Sequence, residues 1–233
     1  MKKCTPLILF FLFAISCNSE NILYDVVIKN GIIYDGTGNK SYKRNIAIKG
    51  DKIAYLGNNK NLNGKKIINA EGKAISPGFI NMLSWGYNSL LKDGRSLSDL
   101  KQGVTLEVFG EGTSPGPKGV PGEKKYISFS KSMDSLVEKG VSTNIASFIG
   151  AATLRINTIG YENRLATNKE LDKMRVSVEK AMKEGAMGIG SSLIYAPGDY
   201  ADTNELIEIS KVASKYGGMY ISHMRNEDNK VLE

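Results

Sequence analysis

The sequence predicts an α/β protein in which a small antiparallel β module precedes a parallel α/β domain. Two patterns carry this prediction. Over residues 23–76, apolar and polar side chains alternate with a period of two, and turn dipeptides separate the runs. From Pro77 onward, each helical stretch ends at a glycine, and a short apolar strand begins directly after it. The 233-residue chain is 41% hydrophobic and 24% charged, so wholesale disorder is excluded.

The N-terminus has the pattern of an export signal. Two lysines precede an apolar run over residues 7–15, which is shorter than the roughly 20 residues that a permanent membrane-spanning helix requires. Ser16-Cys17 resembles a bacterial lipobox. We therefore expect residues 1–17 to be a signal peptide, with Cys17 as the lipid-modified first residue of the mature protein. The alternative is an ordinary cleaved signal in which the cysteine is incidental.

Export places the expected protein in the cell envelope, either in the periplasm or as a membrane-anchored lipoprotein. The membrane would then be contacted only through the signal or the lipid. Both cysteines, Cys4 and Cys17, precede the body of the chain, which excludes a disulfide scaffold, a zinc finger and an Fe–S centre there. The net charge is +7, but the lysines are scattered and not interleaved with aromatic residues, so no nucleic-acid binding is expected.

Residues 18–76 are predicted to form the β module. Asn30-Gly31 and Gly50-Asp51 each separate two alternating runs. Asn-Gly favours a tight hairpin because the favoured two-residue turn needs positive φ at both central residues, which Asn and Gly tolerate. The module is therefore expected to be built from antiparallel hairpins.

Residues 77–233 are predicted to contain five parallel strands. Ser96, Asn168 and Asp202 are the expected N-caps of the intervening helices. The strands are expected near residues 78–82, 104–109, 143–148, 186–191 and 218–222. A (β/α)8 barrel with this spacing needs about 250 residues or more. The periodicity therefore fits either about five strands of a larger barrel or a complete doubly wound sheet.

Chemically active side chains in parallel α/β folds gather where strands end. His223, the only histidine, follows the last apolar strand, so it is a candidate metal ligand or general base, with a partly buried structural histidine as the alternative. Glu111 follows the second strand and is either a candidate ligand or an exposed loop acid. Tyr195 and Arg225 are candidates for holding a substrate carboxylate, or else ordinary packing and surface residues.

Five segments, in order, resemble the amidohydrolase superfamily, specifically the N-acyl-D-amino-acid deacylase (D-aminoacylase) group. They lie within residues 24–38, 76–81, 103–105, 190–198 and 216–225. The resemblance implies a β-sandwich beside a (β/α)8 barrel that binds zinc. It therefore favours an incomplete TIM barrel of about five strands, preceded by a small β-sandwich segment, over the doubly wound sheet.

The resemblance also implies a metal site. A histidine after the fifth strand is a zinc ligand in this group, and His223 matches it. A cysteine after the second strand is another ligand, and Glu111 is the nearest group here that is able to replace it. Leu83 and Trp85 stand where the family has a His-x-His pair, so a two-metal centre is excluded and one zinc is expected. The catalytic aspartate and a further histidine would lie beyond residue 233.

The function implied by this resemblance is hydrolysis of the amide bond of N-acyl (D-)amino acids or related small amides. Zinc would be the cofactor, and Arg225 and Tyr195 would be candidates for gripping the carboxylate of the small-molecule substrate. The chain is expected to be the N-terminal portion of such an enzyme and inactive on its own. The alternative, which Leu83 and Trp85 motivate, is a non-catalytic barrel lipoprotein that acts as an envelope binding protein.

Overall fold

The computed structural model describes residues 22–232, so the expected signal peptide and the lipid site at Cys17 lie outside the described residues. The chain divides into two compact units with a boundary between Pro77 and Gly78. Within residues 22–232, none of the helices is both long and apolar enough to cross a bilayer.

The N-terminal unit is built from two small sheets. Its strands are β1 Leu23–Lys29, β2 Ile32–Ile33, β3 Tyr42–Lys43, β4 Asn45–Lys49, β5 Lys52–Gly57, β6 Asn63–Asn69 and β7 Ala74–Ile75. One sheet has the order β5-β4-β1-β6 and the other has the order β3-β2-β7. A small core of Tyr24, Val27, Ala47 and Leu62 packs beneath the first sheet.

The pairing in this unit is mixed, so the expectation of a wholly antiparallel module is wrong. Strands β1 and β4, β4 and β5, and β2 and β3 pair antiparallel. Strand β6 pairs with β1 in parallel, and β7 pairs with β2 in parallel. Because β4 already occupies one edge of β1, the chain crosses from β5 to the opposite edge, where β6 runs in the same direction as β1.

The two turn dipeptides behave differently. Gly50-Asp51 connects the antiparallel pair β4 and β5, and Gly50 has a φ of 60°, which confirms the hairpin. Asn30-Gly31 does not form a hairpin, because β1 and β2 belong to different sheets. A Cβ on Gly31 would lie 2.3 Å from Cδ1 of Ile75, so the glycine serves close packing instead of a tight turn.

The C-terminal unit contains parallel strands separated by helices. Its strands are β8 Phe79–Asn81, β9 Val104–Phe109, β10 Asn144–Ser147, β11 Ile149–Gly150, β12 Gly188–Ser192 and β13 Met219–His223. The two sheets have the orders β10-β9-β8 and β11-β12-β13, and every pair is parallel. β10 and β11 are two parts of one stretch that is interrupted at Phe148. Each of the five predicted strand segments therefore overlaps an observed strand.

Six helices connect these strands in the described part of the unit. They are α1 Tyr87–Lys92, α2 Leu97–Lys101, α3 Phe129–Lys139, α4 Ala151–Thr158, α5 Asn168–Lys183 and α6 Thr203–Ser214. Asp202 caps α6 as predicted, since its side chain accepts from the backbone of Glu205. The cap of α5 is Thr167 instead of Asn168, in a capping box with Glu170. Ser96 does not cap α2.

The main core lies between α4, α5, α6 and strands β11 and β12. Met174 and Val178 of α5 and Ile209 of α6 are completely buried in it. A buried ion pair, Arg155 to Glu205, joins α4 to α6 within this layer. Large apolar side chains remain exposed on the outermost strands, namely Phe79, Ile80, Met219 and Tyr220.

Candidate active site at the strand ends

Glu111 and His223 meet at the carboxyl ends of β9 and β13, although they are 112 residues apart in sequence. Nδ1 of His223 lies 3.2 Å from Oε2 of Glu111. The Glu111 side chain is 12% exposed and that of His223 is 25% exposed, so the pair is largely shielded but still reachable. The structure thus brings together the two predicted metal-ligand residues.

Two glycines give the Glu111 loop its path. Gly110 and Gly112 both have positive φ, 99° and 87°, which L-residues with side chains rarely adopt. A Cβ on Gly110 would lie 2.2 Å from the carbonyl oxygen of Phe148, and one on Gly112 would lie 2.7 Å from Cβ of Ser192. The backbone on both sides of Glu111 therefore approaches the neighbouring strands more closely than a side chain would allow.

Glu227 completes a line of three side chains that the sequence reasoning missed. Its Oε1 lies 3.1 Å from Nε2 of His223, so each ring nitrogen of the histidine faces a carboxylate. Its separation from His223 by four residues was the available signal. That signal is weak because the residues after His223 are not helical, so the spacing alone does not bring the side chains together.

Tyr195 lies beside the histidine, whereas Arg225 is engaged elsewhere. The ring centroids of Tyr195 and His223 are 5.6 Å apart at an interplanar angle of 53°. The guanidinium of Arg225 donates to the carbonyl oxygens of Asp199, at 3.2 Å, and Ala201, at 2.5 Å. These bonds hold the short 3₁₀ turn that follows Tyr195. The role of Arg225 in substrate binding stays a prediction, as does that of Tyr195.

The end of β8 carries no metal-ligating side chain. Leu83 and Trp85 are both exposed, and between them Ser84 is buried and donates to Oε2 of Glu107 at 2.7 Å. Glu107 lies within β9 and is 2% exposed. Its other oxygen, Oε1, accepts from the hydroxyls of Ser96, at 2.5 Å, and Thr143, at 3.0 Å. This buried acid is therefore saturated by neutral hydroxyls, and its bond to Ser96 explains why that residue does not cap α2.

The described residues do not by themselves fit a zinc site. Catalytic zinc takes three protein ligands and a water, and structural zinc takes four. Among residues 22–232, no group of three or more His, Cys, Asp and Glu side chains is arranged to hold a metal. Glu111 and His223 supply two donors, and Glu227 approaches the opposite nitrogen of the same ring. A third protein ligand, in addition to Glu111 and His223, is needed for zinc to bind tightly at this site.

No protein-family model matches the chain. D-aminoacylase from Alcaligenes xylosoxydans xylosoxydans is 28% identical over 227 residues, which is 92% of this chain and 47% of that protein. The chain is a homologue of the D-aminoacylases. A crystal structure of D-aminoacylase that defines a subset of amidohydrolases has a TM-score of 0.79 at 30% identity, covering 88% of this chain and 46% of that one.

A second D-amino-acid deacylase structure agrees with this relationship. N-acyl-D-glutamate deacylase from Bordetella bronchiseptica, complexed with zinc and a phosphonate inhibitor, has a TM-score of 0.81 at 25% identity. It is matched over 90% of this chain and 47% of its own. The mixed α/β architecture is therefore similar to that of the amidohydrolase D-aminoacylases. The chain spans about half the length of the relatives it matches.

Proposed function

We propose that the chain forms the N-terminal part of a metal-dependent amidohydrolase that cleaves the amide bond of N-acyl amino acids. N-acyl-D-amino acids are the favoured substrate class because the relatives are D-aminoacylase and N-acyl-D-glutamate deacylase. The observation that carries the proposal is the approach of Glu111 to His223 at the strand ends, at 3.2 Å across 112 residues of sequence. An acid and an imidazole converge there at the rim where parallel α/β enzymes place their chemistry.

The proposed fold is an incomplete (β/α)8 barrel of about five strands, over residues 77–233, preceded by a β-sandwich segment over residues 18–76. Five strand segments follow one another in chain order and pair in parallel, as barrel strands do. The exposed apolar side chains on β8 and β13 support further strands on both outer edges. Residues 1–17 remain the proposed signal peptide, with lipidation at Cys17 and location in the cell envelope.

The proposed cofactor is one zinc, with His223 and Glu111 as two of its ligands. At least one more protein ligand would come from outside the sequence given. Leu83 and Trp85 carry no donor atoms for a second metal, which supports a single site. In D-aminoacylase, by contrast, the metal centre is binuclear.

The residues of this chain have separate roles in the proposed reaction. The substrate amide C–N bond breaks, water adds its hydroxyl to the acyl carbon, and its proton goes to the leaving amine. Glu111 and His223 would hold the metal, and Glu227, whose Oε1 lies 3.1 Å from Nε2 of His223, would orient the ring. Arg225 holds the backbone beyond Tyr195, so the phenol ring stays beside the imidazole at the mouth of the site.

The proposed function is tested with the whole protein that contains this chain, expressed from its complete gene and loaded with zinc. We expect release of free amino acid from N-acetyl-D-amino acids, measured with an amine reagent. Glu111→Ala and His223→Ala should each lower both the bound zinc and the rate by at least about a hundredfold, because loss of a ligand disables the centre. Glu138→Ala, an exposed acid on α3, is the matched control and should change neither.

A non-catalytic envelope binding protein is the second candidate. Leu83 and Trp85, in place of donor side chains, favour it. Saturable binding of N-acyl amino acids by the whole zinc-loaded protein, with no amine released, would establish this candidate. The same result would exclude the hydrolase.

A further inference from the structure

A cavity lies between the segment that follows β8 and the loop that follows β9. Its volume is about 240 Å³, and Trp85, Tyr87, Phe109, Pro115 and Lys118 are among the residues that line it. Gly110 and Thr113, which flank the Glu111 segment, also line it. The cavity therefore adjoins the proposed active site without including Glu111 or His223. A larger cavity of about 380 Å³ lies in the N-terminal unit, and none of the candidate site residues lines it.

The aromatic wall of this cavity is fixed in place. The rings of Tyr87 and Phe109 meet edge to face, 6.2 Å apart at 78°, and the Tyr87 hydroxyl donates to the carbonyl oxygen of Ser132 at 3.3 Å. Trp85 is 60% exposed, so much of its indole surface is available to a ligand. Aromatic rings of a ligand gain stability against such a wall through offset or edge-on packing.

The backbone on both sides of the cavity is held by hydrogen bonds. Next to Trp85, the amide of Ser84 donates to the carbonyl oxygen of Val108 at 2.9 Å, and its hydroxyl donates to Glu107. On the facing loop, the amide of Ser114 donates to the Thr153 hydroxyl at 2.8 Å. A cavity that is already formed in the free protein binds its ligand more tightly than one that must form on binding, because fewer side chains and loops have to be ordered.

Among the described residues that line the cavity, only Lys118 carries a charge, and it is a cation. Lys118 forms no ion pair with any residue between 22 and 232, and no Asp or Glu lines the cavity. A single unpaired ammonium beside an aromatic wall favours a ligand that carries both an aromatic group and an anionic group.

We propose that this Trp85–Lys118 pocket binds aromatic carboxylates. The aromatic group would pack against Trp85, and the carboxylate would pair with Lys118 in place of Arg225, whose guanidinium donates to two backbone carbonyl oxygens. The inference rests on the proposed function and extends it, because it names the preferred substrates as N-acyl amino acids with an aromatic side chain. In this arrangement the pocket selects the substrate, while Glu111 and His223 belong to the centre that cleaves it.

Three probes separate the two halves of this recognition. N-acetyl-D-phenylalanine has the ring and the carboxylate. N-acetyl-D-phenylalaninamide has the ring but a carboxamide in place of the carboxylate, and N-acetyl-D-alanine has the carboxylate but lacks the ring. Binding is measured by calorimetry on the whole protein carrying Glu111→Ala and His223→Ala, so that hydrolysis does not interfere. We expect N-acetyl-D-phenylalanine to bind at least about tenfold more tightly than either other probe, which corresponds to about 1.4 kcal/mol.

Two variants assign each preference to a residue. Trp85→Ala should abolish the advantage of phenylalanine over alanine, and Lys118→Met should abolish the advantage of the acid over the amide. Lys169→Met, an exposed lysine on α5, is the matched control and should alter neither. In the protein with Glu111 and His223 intact, Trp85→Ala should raise KM for the aromatic substrate and leave kcat within about twofold. That readout keeps the test valid if the double variant fails to fold.

The outcomes distinguish the pocket from the hydrolase. Equal affinity for all three probes, or equal effects of Lys118→Met and Lys169→Met, would overturn the pocket proposal. Hydrolysis without any aromatic preference would overturn the pocket and leave the hydrolase intact. Selective binding of the aromatic acid, with no amine released by the protein whose Glu111 and His223 are intact, would support the pocket and exclude the hydrolase.

Discussion

Glu107 and Glu111 belong to one strand and the loop that follows it, yet their surroundings differ in kind. Glu107 is buried within β9, where three neutral hydroxyls donate to it. Glu111 lies at the rim, where its partner is a titratable imidazole that is itself partly exposed. A saturated, buried acid holds the surrounding loops together. An acid at the rim with a titratable neighbour remains available for chemistry.

A third acid, Glu205, extends this comparison because its partner is the charged guanidinium of Arg155. Substitution of this pair gives the largest expected change in the free energy of unfolding. Arg155 and Glu205 are both almost completely buried, and Arg155 also donates to the carbonyl oxygen of Arg164 at 2.7 Å. Nε of Arg155 and Oε1 of Glu205 have no hydrogen-bond partner among residues 22–232. Burial raises the pKa of Glu205, since desolvation outweighs the attraction of the guanidinium.

Arg155→Met should lower the free energy of unfolding by about 3–5 kcal/mol, because it leaves Glu205 as an unpaired buried acid. Denaturant unfolding of the whole protein measures this change. The double variant Arg155→Met with Glu205→Leu should recover much of the loss, since apolar groups of similar volume replace the pair. A double variant no more stable than the single one would show that the unpaired acid is not the cause of the loss.

The next effect contrasts Glu107 with Glu111 directly. Glu107→Ala should cost about 2–3 kcal/mol of unfolding free energy, because the hydroxyls of Ser84, Ser96 and Thr143 lose their shared acceptor. Glu111→Ala should cost less than about 1 kcal/mol, since its partner His223 can still be solvated at the rim. Both are measured by denaturant unfolding, with Glu138→Ala as the control. Equal losses at positions 107 and 111 would remove the distinction drawn between them.

The smallest expected effect concerns Glu170 on the surface of the same unit. The Arg164 guanidinium hydrogen-bonds to this carboxylate and, with Thr167, lowers the pKa of Glu170 to about 2 from its ordinary 4.5. A carboxyl whose pKa is lower in the folded state stabilises the fold above its unfolded pKa, and that contribution is lost as the pH falls. The contribution should therefore be complete above about pH 4.5 and disappear towards pH 2.

Arg164→Met should flatten this pH dependence. The difference in unfolding free energy between the variant and the parent should be about 1 kcal/mol or less above pH 4.5 and should shrink on acidification. Chemical unfolding at a series of pH values measures it. A difference that stays constant or grows as the pH falls would mean that Arg164 acts through packing and not through the Glu170 charge.

Local patterns predicted those parts of the fold that depend on neighbouring residues. Asp202 caps α6 because its side chain reaches a backbone amide three residues away, a contact that the sequence displays. The hairpin at Gly50 was predicted for the same reason. Ser96 failed as a cap because a more distant acid, Glu107, takes its hydroxyl, and no local rule contains that competition.

The site was predicted only in part for a similar reason. The rule that active groups follow strands selected Glu111 and His223, and the resemblance implied that both are zinc ligands. Glu227 was missed because it reaches the histidine from an irregular segment, where spacing does not determine direction. Arg225 was one candidate for holding the substrate carboxylate; its guanidinium donates to two carbonyl oxygens of a nearby turn, and its role in substrate binding stays a prediction.

The tight approach of Gly112 to Ser192 limits how a protein engineer could rebuild this centre. Introducing a thiol at position 112 would require a left-handed backbone to accept a side chain that collides with the neighbouring strand. Position 111 is free of that restriction, because its side chain already points toward the imidazole. We therefore expect the single substitution Glu111→Cys to place a sulfur metal ligand in this loop without changing the path of the backbone.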